Sequence, residues 1–206
     1  KKIKQKTAII AVDDGSSDKT LLELKKAQKK ISHLIIESHK KNLGYGAANI
    51  TGAIFAKKMH FDYVLFMDAD LTQDPKYIQG FLSEMKKGTD YIKATRYNLG
   101  GQVKGVSFKR RFVSQTGNFL AKMFFRLPLT DYTNGFRAVK TSILNQIKCR
   151  DRGFSYLIEE VRQVSKIAKT YAEVPYILTV RTDGSKSKFR YNPKVYFNYM
   201  KYLFRK

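Results

Sequence analysis

Two carboxylates stand two residues apart in Phe66-Met67-Asp68-Ala69-Asp70-Leu71, directly after the apolar run Tyr63-Val64-Leu65-Phe66. The run is short and apolar, and it reads as a buried strand. Open α/β sheets bind their ligands at the carboxyl ends of strands. The acidic pair therefore stands where a substrate would arrive. Two hard oxygen ligands suit Mg²⁺ or Mn²⁺ gripping a substrate's phosphates. The plainer reading is two solvated carboxylates ahead of the next helix. A second acidic pair, Asp13-Asp14, closes another apolar run over residues 7–12, TAIIAV. In a parallel sheet the two pairs share one edge, and four like charges there repel unless a cation or ligand separates them. Asn42-Leu43-Gly44-Tyr45-Gly46 adds a glycine-hinged loop at a helix start, where backbone N–H groups can meet a ligand.

The elements that must hold these residues follow from periodicity. Strands are expected over 7–12, 33–38, 62–67 and 91–95. Helices are expected from the turn at 13–18 to about residue 30, over about 47–59, and from Asp74-Pro75, with Pro at the first helical position. Strands alternating with helices of about ten residues predict a parallel α/β sheet. The second half changes character. Residues 107–126 carry Phe108, Phe112, Val113, Phe119, Leu120, Met123 and Phe124 among Lys109, Arg110, Arg111, Lys122 and Arg126, a basic amphipathic helix. An ordinary helix over 154–168 and a long strand over 171–181 follow. Residues 193–206 interleave Tyr196, Phe197, Tyr199, Tyr202 and Phe204 with Lys201, Arg205 and Lys206. Both basic aromatic helices are expected on a membrane surface. The alternative is core packing with snorkelling lysines.

Composition narrows the partners. The chain has 206 residues, one domain's worth, with 43% hydrophobic residues and a formal charge of +23. Such an excess implies an anionic partner: nucleic acid, an acidic membrane surface or a phosphorylated substrate. The single cysteine, Cys149, excludes an internal disulfide and fits a reducing compartment. No run of about 18 apolar residues spans a bilayer. A nucleic-acid module would leave the Asp-x-Asp strand end unexplained, so nucleic acid is not the expected partner.

Six segments in order carry a resemblance: VDDGSSDKT (12–20), NLGYGAANITGAIFA (42–56), FMDADLTQDP (66–75), TRYNLGG (95–101), KRRFVSQTGNFL (109–120) and DYTNGFRA (131–138). Together they resemble a family 2 glycosyltransferase with the GT-A fold, a Rossmann-like, mostly parallel sheet flanked by helices. Arg110, Ser114, Asn118 and Asp131 through Arg137 resemble the dolichol-phosphate, or polyprenol-phosphate, mannosyltransferase branch. The resemblance implies a catalytic domain over 1–190, including an interface helix over about 107–127, and a C-terminal basic aromatic helix over 191–206. It further implies that the opening strand of the family, with its nucleoside-contacting loop, is missing before Lys1. Related enzymes add transmembrane segments, interface helices or a membrane-anchoring subunit.

What the resemblance implies for the site falls on particular residues. Asp68 and Asp70 hold the Mg²⁺ or Mn²⁺ that bridges the nucleotide-sugar diphosphate, with Thr72 or Gln73 as a third ligand. Asp13 or Asp14 contacts the nucleoside, with Asn42 and Gly46 in the same donor pocket. Arg96, Arg110 and Arg137 meet phosphates, with Ser114 and, from the 181–188 loop, Lys188 or Lys186 on the acceptor side. Asp70, Arg96 and Arg110 are the expected catalytic set, and Glu159 is a candidate for sugar hydroxyls. The expected reaction moves mannose from GDP-mannose to dolichyl or polyprenyl phosphate, with inversion, on the cytoplasmic face of an endoplasmic-reticulum or prokaryotic plasma membrane. A UDP-sugar donor, or a saccharide acceptor, is the alternative. A phosphate monoester has a second pKa of about 6 and is already a nucleophile at neutral pH, so no strong general base is required.

Overall fold

The computed structural model describes residues 6–179 and 193–204. The chain opens with β1 (Ile9–Asp13), α1 (Thr20–Gln28), β2 (Leu34–Ser38) and α2 (Tyr45–Lys58). β1 and β2 pair in parallel, Ile9 opposite Leu34 and Asp13 opposite Ser38. Next come β3 (Tyr63–Phe66), a 3-10 turn at Pro75–Tyr77 leading into α3 (Ile78–Lys86), β4 (Tyr91–Thr95) and β5 (Gln102–Val103). The second half holds α4 (Phe108–Phe125), β6 (Arg137–Lys140), the short α5 (Thr141–Leu144), α6 (Tyr156–Val164), β7 (Tyr171–Pro175), β8 (Ile177–Leu178) and α7 (Pro193–Phe204).

The alternating strands and helices of the first half stand as read from the sequence. The central sheet departs from the parallel expectation. Its order is β3-β6-β4-β7, and β6 runs antiparallel to both β3 and β4, while β4 and β7 are parallel. β6 is absent from the sequence reading because Arg137-Ala138-Val139-Lys140 is bracketed by charges and shows no apolar run. The long strand expected over 171–181 breaks at Tyr176: β7 joins the central sheet and β8 pairs with β5. Pro175, with no N–H to donate, closes β7. α2 packs against both β1 and β3, and it approaches closely because Gly46, Ala47, Ala53 and Ala56 form its buried side.

Side chains alternate across β4 and β6. Ile92, Ala94 and Ala138 face Phe81 of α3. Tyr91 and Val139 face Ala53 of α2 and Ile158 and Val161 of α6. Lys93 and Arg137, directly opposite each other on the two strands, share this second face. Arg137 is fully buried against the equally buried Glu160 of α6, with Nη2 2.7 Å from Oε2. The Tyr91 and Tyr156 hydroxyls also donate to Glu160, at 3.0 and 2.8 Å. The remaining guanidinium donors reach the Gly135 carbonyl (2.8 Å) and Asn49 Oδ1 (3.2 Å), and Phe66 stacks on its face at 4.0 Å. Burial alone would raise the Glu160 carboxyl, but the Arg137 charge and hydrogen bonds hold it below its ordinary value.

α7 packs against α4 and α6. Tyr202 and Leu203 enter the core, and the Tyr199 hydroxyl donates to the Gly117 carbonyl of α4 at 2.6 Å. The two expected basic aromatic helices each turn one side to the core, as core packing requires, and leave the other side exposed. Phe108, Phe112, Phe119 and Met123 fall on one face of α4 and are all exposed, Phe108 by 82%. Phe204 meets Phe124 edge to face at 4.6 Å, and Phe197 and Phe204 of α7 are exposed as well. No helix among the described residues is long and apolar enough to cross a membrane.

Removing one partner of a buried ion pair leaves an uncompensated charge and costs about 3–5 kcal/mol. Glu160→Ala is expected to lower unfolding stability by about that amount in urea titrations. A loss below about 1 kcal/mol, the scale of an exposed pair, would show that the pair does not organise this face.

Candidate active site

β3 ends at Phe66 and delivers Asp68 and Asp70 into a tight turn. Leu71, next in line, is held in the left-handed region at φ +62° with its side chain exposed. A bulky residue in that conformation is strained, and such strain collects at functional sites. Gln73, though polar, is almost fully buried. Its Oε1 accepts the Asp68 N–H at 2.8 Å and its Nε2 donates to Asp68 Oδ2 at 2.9 Å. Gln73, expected as a third metal ligand, thus braces Asp68 at both its backbone and its carboxylate. Thr72, the other candidate, donates its hydroxyl to Asp70 Oδ1 at 2.6 Å.

The Tyr45 hydroxyl also binds the Asp68 carboxylate, and burial, followed by the nearby Asp70 charge, raises the Asp68 carboxyl above its ordinary value. The Tyr45 ring is stacked on Phe154 at 5.0 Å. A Cβ at Gly135 would collide with the Tyr45 hydroxyl, so any other residue there would displace Tyr45 from Asp68. Among the described residues no group of three or more His, Cys, Asp or Glu side chains converges to hold a metal. Two carboxylates with one held desolvated nevertheless fit Mg²⁺ or Mn²⁺, which commonly take one or two protein carboxylates and complete their shell with water and substrate phosphates.

The expectation that four carboxylates converge is therefore corrected. Asp13 accepts from the Ser16 N–H (3.2 Å) and the Ser38 hydroxyl (3.1 Å). Asp14 accepts from the Leu43 and Gly44 N–H groups, both at 2.8 Å, and faces His39 Nδ1 at 2.7 Å, while His39 Nε2 meets the Thr51 hydroxyl at 2.9 Å. The 42–46 loop is thus stapled to the end of β1. Three of its N–H groups are used internally: those of Leu43 and Gly44 on Asp14, and that of Gly46 on the Arg152 carbonyl at 2.8 Å, at the start of α2. Asn42 lies exposed at the loop's edge. Glu159, the candidate for sugar hydroxyls, is buried and accepts the N–H groups of Arg150 and Asp151 at 2.8 and 2.7 Å. Like Asp14, it braces a loop.

The arginines divide. Arg137 lies in the core pair described above, with no surface to meet a phosphate, so its expected acceptor role is corrected. Arg96, at the end of β4, grips Asp131 through Nε (2.7 Å) and Nη2 (2.8 Å) and reaches Thr133 and Ser114 hydroxyls at 3.0 and 3.3 Å. Burial would raise the Asp131 carboxyl, but Arg96 outweighs it and holds that carboxyl low. The Tyr97 hydroxyl donates to Ser114 Oγ at 3.0 Å. Tyr97 stands between two cavities. One, of about 280 Å³, is lined by Arg96, Tyr97, Gly101, Gln102, Val103 and Arg111. The other, of about 290 Å³, is lined by Tyr97, Gln115, Asn118, Phe119, Lys122 and Thr130. Arg111, rather than Arg110, shares the first cavity with Arg96. Arg110 is exposed on α4. Lys186 and Lys188 lie outside the described residues.

Sequence reasoning missed Tyr45, Tyr97, Arg111 and the second-face charges Lys93, Glu160 and Glu173. Only Arg111 carried a signal, as one of three consecutive basic residues on an amphipathic helix.

The profile of glycosyl transferase family 2 matches residues 2–148. Dolichol-phosphate mannosyltransferase of Pyrococcus furiosus is 28% identical over 201 residues, covering 96% of this chain and 54% of that protein. Polyprenol monophosphomannose synthase of Mycolicibacterium smegmatis is 28% identical over 182 residues, covering 85% of this chain and 68% of its own length. The chain thus spans about half the length of the first relative. Among solved structures, glucosyl-3-phosphoglycerate synthase from Mycobacterium tuberculosis, in complex with Mn²⁺, UDP-glucose and phosphoglyceric acid, superposes with a TM-score of 0.64 at 14% identity, covering 94% of this chain and 68% of that one. At that identity the likeness speaks for the fold alone. The acidic pair at the end of β3, the mixed sheet and the profile match agree that the chain belongs to glycosyl transferase family 2 and has the GT-A fold.

Proposed function

We propose that the protein transfers a sugar, mannose from GDP-mannose, to a polyprenyl or dolichyl phosphate with inversion at the anomeric carbon, at the cytoplasmic face of a membrane. One observation carries the reading: Phe119 lines the cavity beside Tyr97 and belongs to the exposed aromatic ridge of α4, while Arg111 of the same helix shares the adjoining cavity with Arg96. A ligand with a phosphate head and an apolar tail matches that juxtaposition. The names of the two relatives support mannose and a polyprenyl acceptor. The half-buried free thiol of Cys149 accords with a reducing compartment.

In this reading Asp68 and Asp70 hold the divalent cation. When bound, that cation offsets the negative charge developing on the leaving diphosphate. Arg96 and Arg111 hold the acceptor phosphate, and Ser114, between Arg96 and Tyr97, orients it. The phosphate dianion is its own nucleophile, so these side chains supply position and electrostatics rather than proton removal. The Gln73 and Tyr45 contacts keep the Asp68 carboxylate in place. The aromatic ridge, flanked by Lys109, Arg111 and Lys122, docks the protein on an anionic lipid surface. A membrane-anchoring subunit or transmembrane segment would add a second attachment. A UDP-sugar donor is the second reading, favoured by the UDP-glucose bound to the structurally similar synthase.

Three outcomes test this. With Mn²⁺ or Mg²⁺, labelled sugar from GDP-mannose is expected in an organic-extractable polyprenyl phosphate product. EDTA is expected to abolish the transfer and Asp70→Ala to lower turnover about 100-fold. If neither GDP- nor UDP-sugars yield lipid product, the reading fails. Arg111→Ala is expected to raise KM for the lipid phosphate about tenfold, with the nucleotide-sugar KM little changed, as loss of a charge-assisted hydrogen bond implies. An equal or larger effect from Arg110→Ala would reverse that assignment. Finally, Phe108→Ser with Phe112→Ser should weaken sedimentation with phosphatidylserine vesicles about tenfold. Undiminished sedimentation would show that another surface meets the bilayer.

A further inference from the structure

Lys93, at the middle of β4, is fully buried and takes no part in the chemistry above. Among the described residues its Nζ forms no ion pair. It donates instead to two carbonyl oxygens, Asn134 at 2.7 Å and Tyr132 at 3.2 Å, and lies 5.9 Å from the Tyr91 ring centre. Its strand neighbours are Arg137 of β6 and Glu173 of β7. Two fully buried cations side by side on adjacent strands are costly. Such an arrangement calls for a use.

The segment that Lys93 grips connects the two halves of the site. From its start, Thr130 and Asp131 donate their N–H groups to Glu173. Tyr132 and Thr133 donate theirs to Asn118 Oδ1 at 2.6 and 3.1 Å. Arg137 takes the Gly135 carbonyl. Asp131 at one end clamps Arg96. Gly135 at the other faces the Asp68 corner: a Cβ added there would meet the Tyr45 hydroxyl and come within 3.4 Å of Asp68 Oδ2. Lys93 holds the carbonyls between those ends. The charged groups facing it are Arg137 from β6, Glu173 from β7, Glu160 from α6, Asp131 from the segment and Arg96 from the end of its own strand. Tyr91 is the phenol beside it. Burial first, then Arg137, pushes the Lys93 amine down to about 7, with Asp131 and Glu160 opposing.

We propose that Lys93 is a positioning residue that keeps the Arg96–Asp131 clamp and the Gly135–Tyr45–Asp68 corner in one register, so that the cation and the acceptor anion meet at the required separation. The proposal rests on reading those two clusters as cation and anion sites. Lys93 itself touches neither ligand.

The test measures Mn²⁺ binding by electron paramagnetic resonance and inorganic sulfate binding by calorimetry, on the whole protein at pH 6.5. Sulfate is used because its charge does not change near neutrality. In Lys93→Met, loss of register is expected to weaken both Mn²⁺ and sulfate about tenfold, as loss of a supporting contact behind a ligand does. A pure charge effect separates cleanly: removing a cation would weaken sulfate and tighten Mn²⁺, and that pattern overturns the proposal. Unchanged constants for both probes also overturn it. Should Lys93→Met fail to fold, Lys93→Arg keeps the charge but replaces the single ammonium between the two carbonyls with a longer, planar fork that must push the segment to fit. Weakened binding of both probes in that variant supports positioning, and wild-type constants overturn it. If the wild-type protein binds neither probe, the site reading falls and the inference falls with it. If wild type binds both while the variants match it, only the inference falls.

Discussion

The Arg137–Glu160 pair is the constraint on which this face of the molecule depends. A buried charge must find its partner and satisfy its remaining donors, and here the partners come from four elements. Glu160 brings α6 over the sheet, and Tyr91 and Tyr156 complete its shell. Arg137 draws in Asn49 of α2 and the carbonyl of Gly135. Because Gly135 is fixed in this way, Tyr45 and Asp68 can close around it. The acidic corner is therefore a consequence of a charge pair in the core, one layer beneath it.

The same logic sorts the charged residues of the site into two groups. Asp13, Asp14, Glu159, Glu173 and Arg137 are committed to internal hydrogen bonds and brace loops or strands. Asp68, Asp70, Arg96 and Arg111 stand at a cavity or a strained turn. Asp68 is the clearest of these: burial and the neighbouring Asp70 raise its carboxyl, a condition that an added cation would relieve. Arg96 shows the complementary arrangement, its guanidinium held by Asp131, Thr133 and Ser114 at the edge of a cavity. Such pre-orientation suits a proposed reaction in which the nucleophile arrives already ionised and the protein's task is placement.

The fold was legible wherever burial left a periodic trace. β1, β2, β3 and β4 are short apolar runs followed by turn residues, and α1, α2 and α4 carry regular apolar spacing, so their existence was readable, with ends shifted by at most two residues. β6 was not readable because half of its residues are charged, and one of those charges is buried only because Glu160 arrives from a helix twenty-three residues later. The long strand over 171–181 was misread because nothing local says that β7 and β8 enter different sheets. Asp68 and Asp70 were expected just past a strand end from type and position, and they stand just past the end of β3. Gln73 was read as a ligand and turned out to brace Asp68, and Arg110 was read where Arg111 faces the cavity. A rotation of one residue on a helix decides that choice, and α4's amphipathic pattern leaves it open.

By itself the sequence determined the class of fold, the family, the strand end that carries the acidic pair and the surplus of positive charge that calls for an anionic partner. These are set by residue type and short-range spacing, which act through local propensity and burial. Only the tertiary structure decided which charges are committed and which remain available. The availability of Asp14, Gln73, Arg137 or Glu159 depends on donors and acceptors supplied from distant segments. A buried polar group is satisfied by whatever the fold brings within hydrogen-bonding distance.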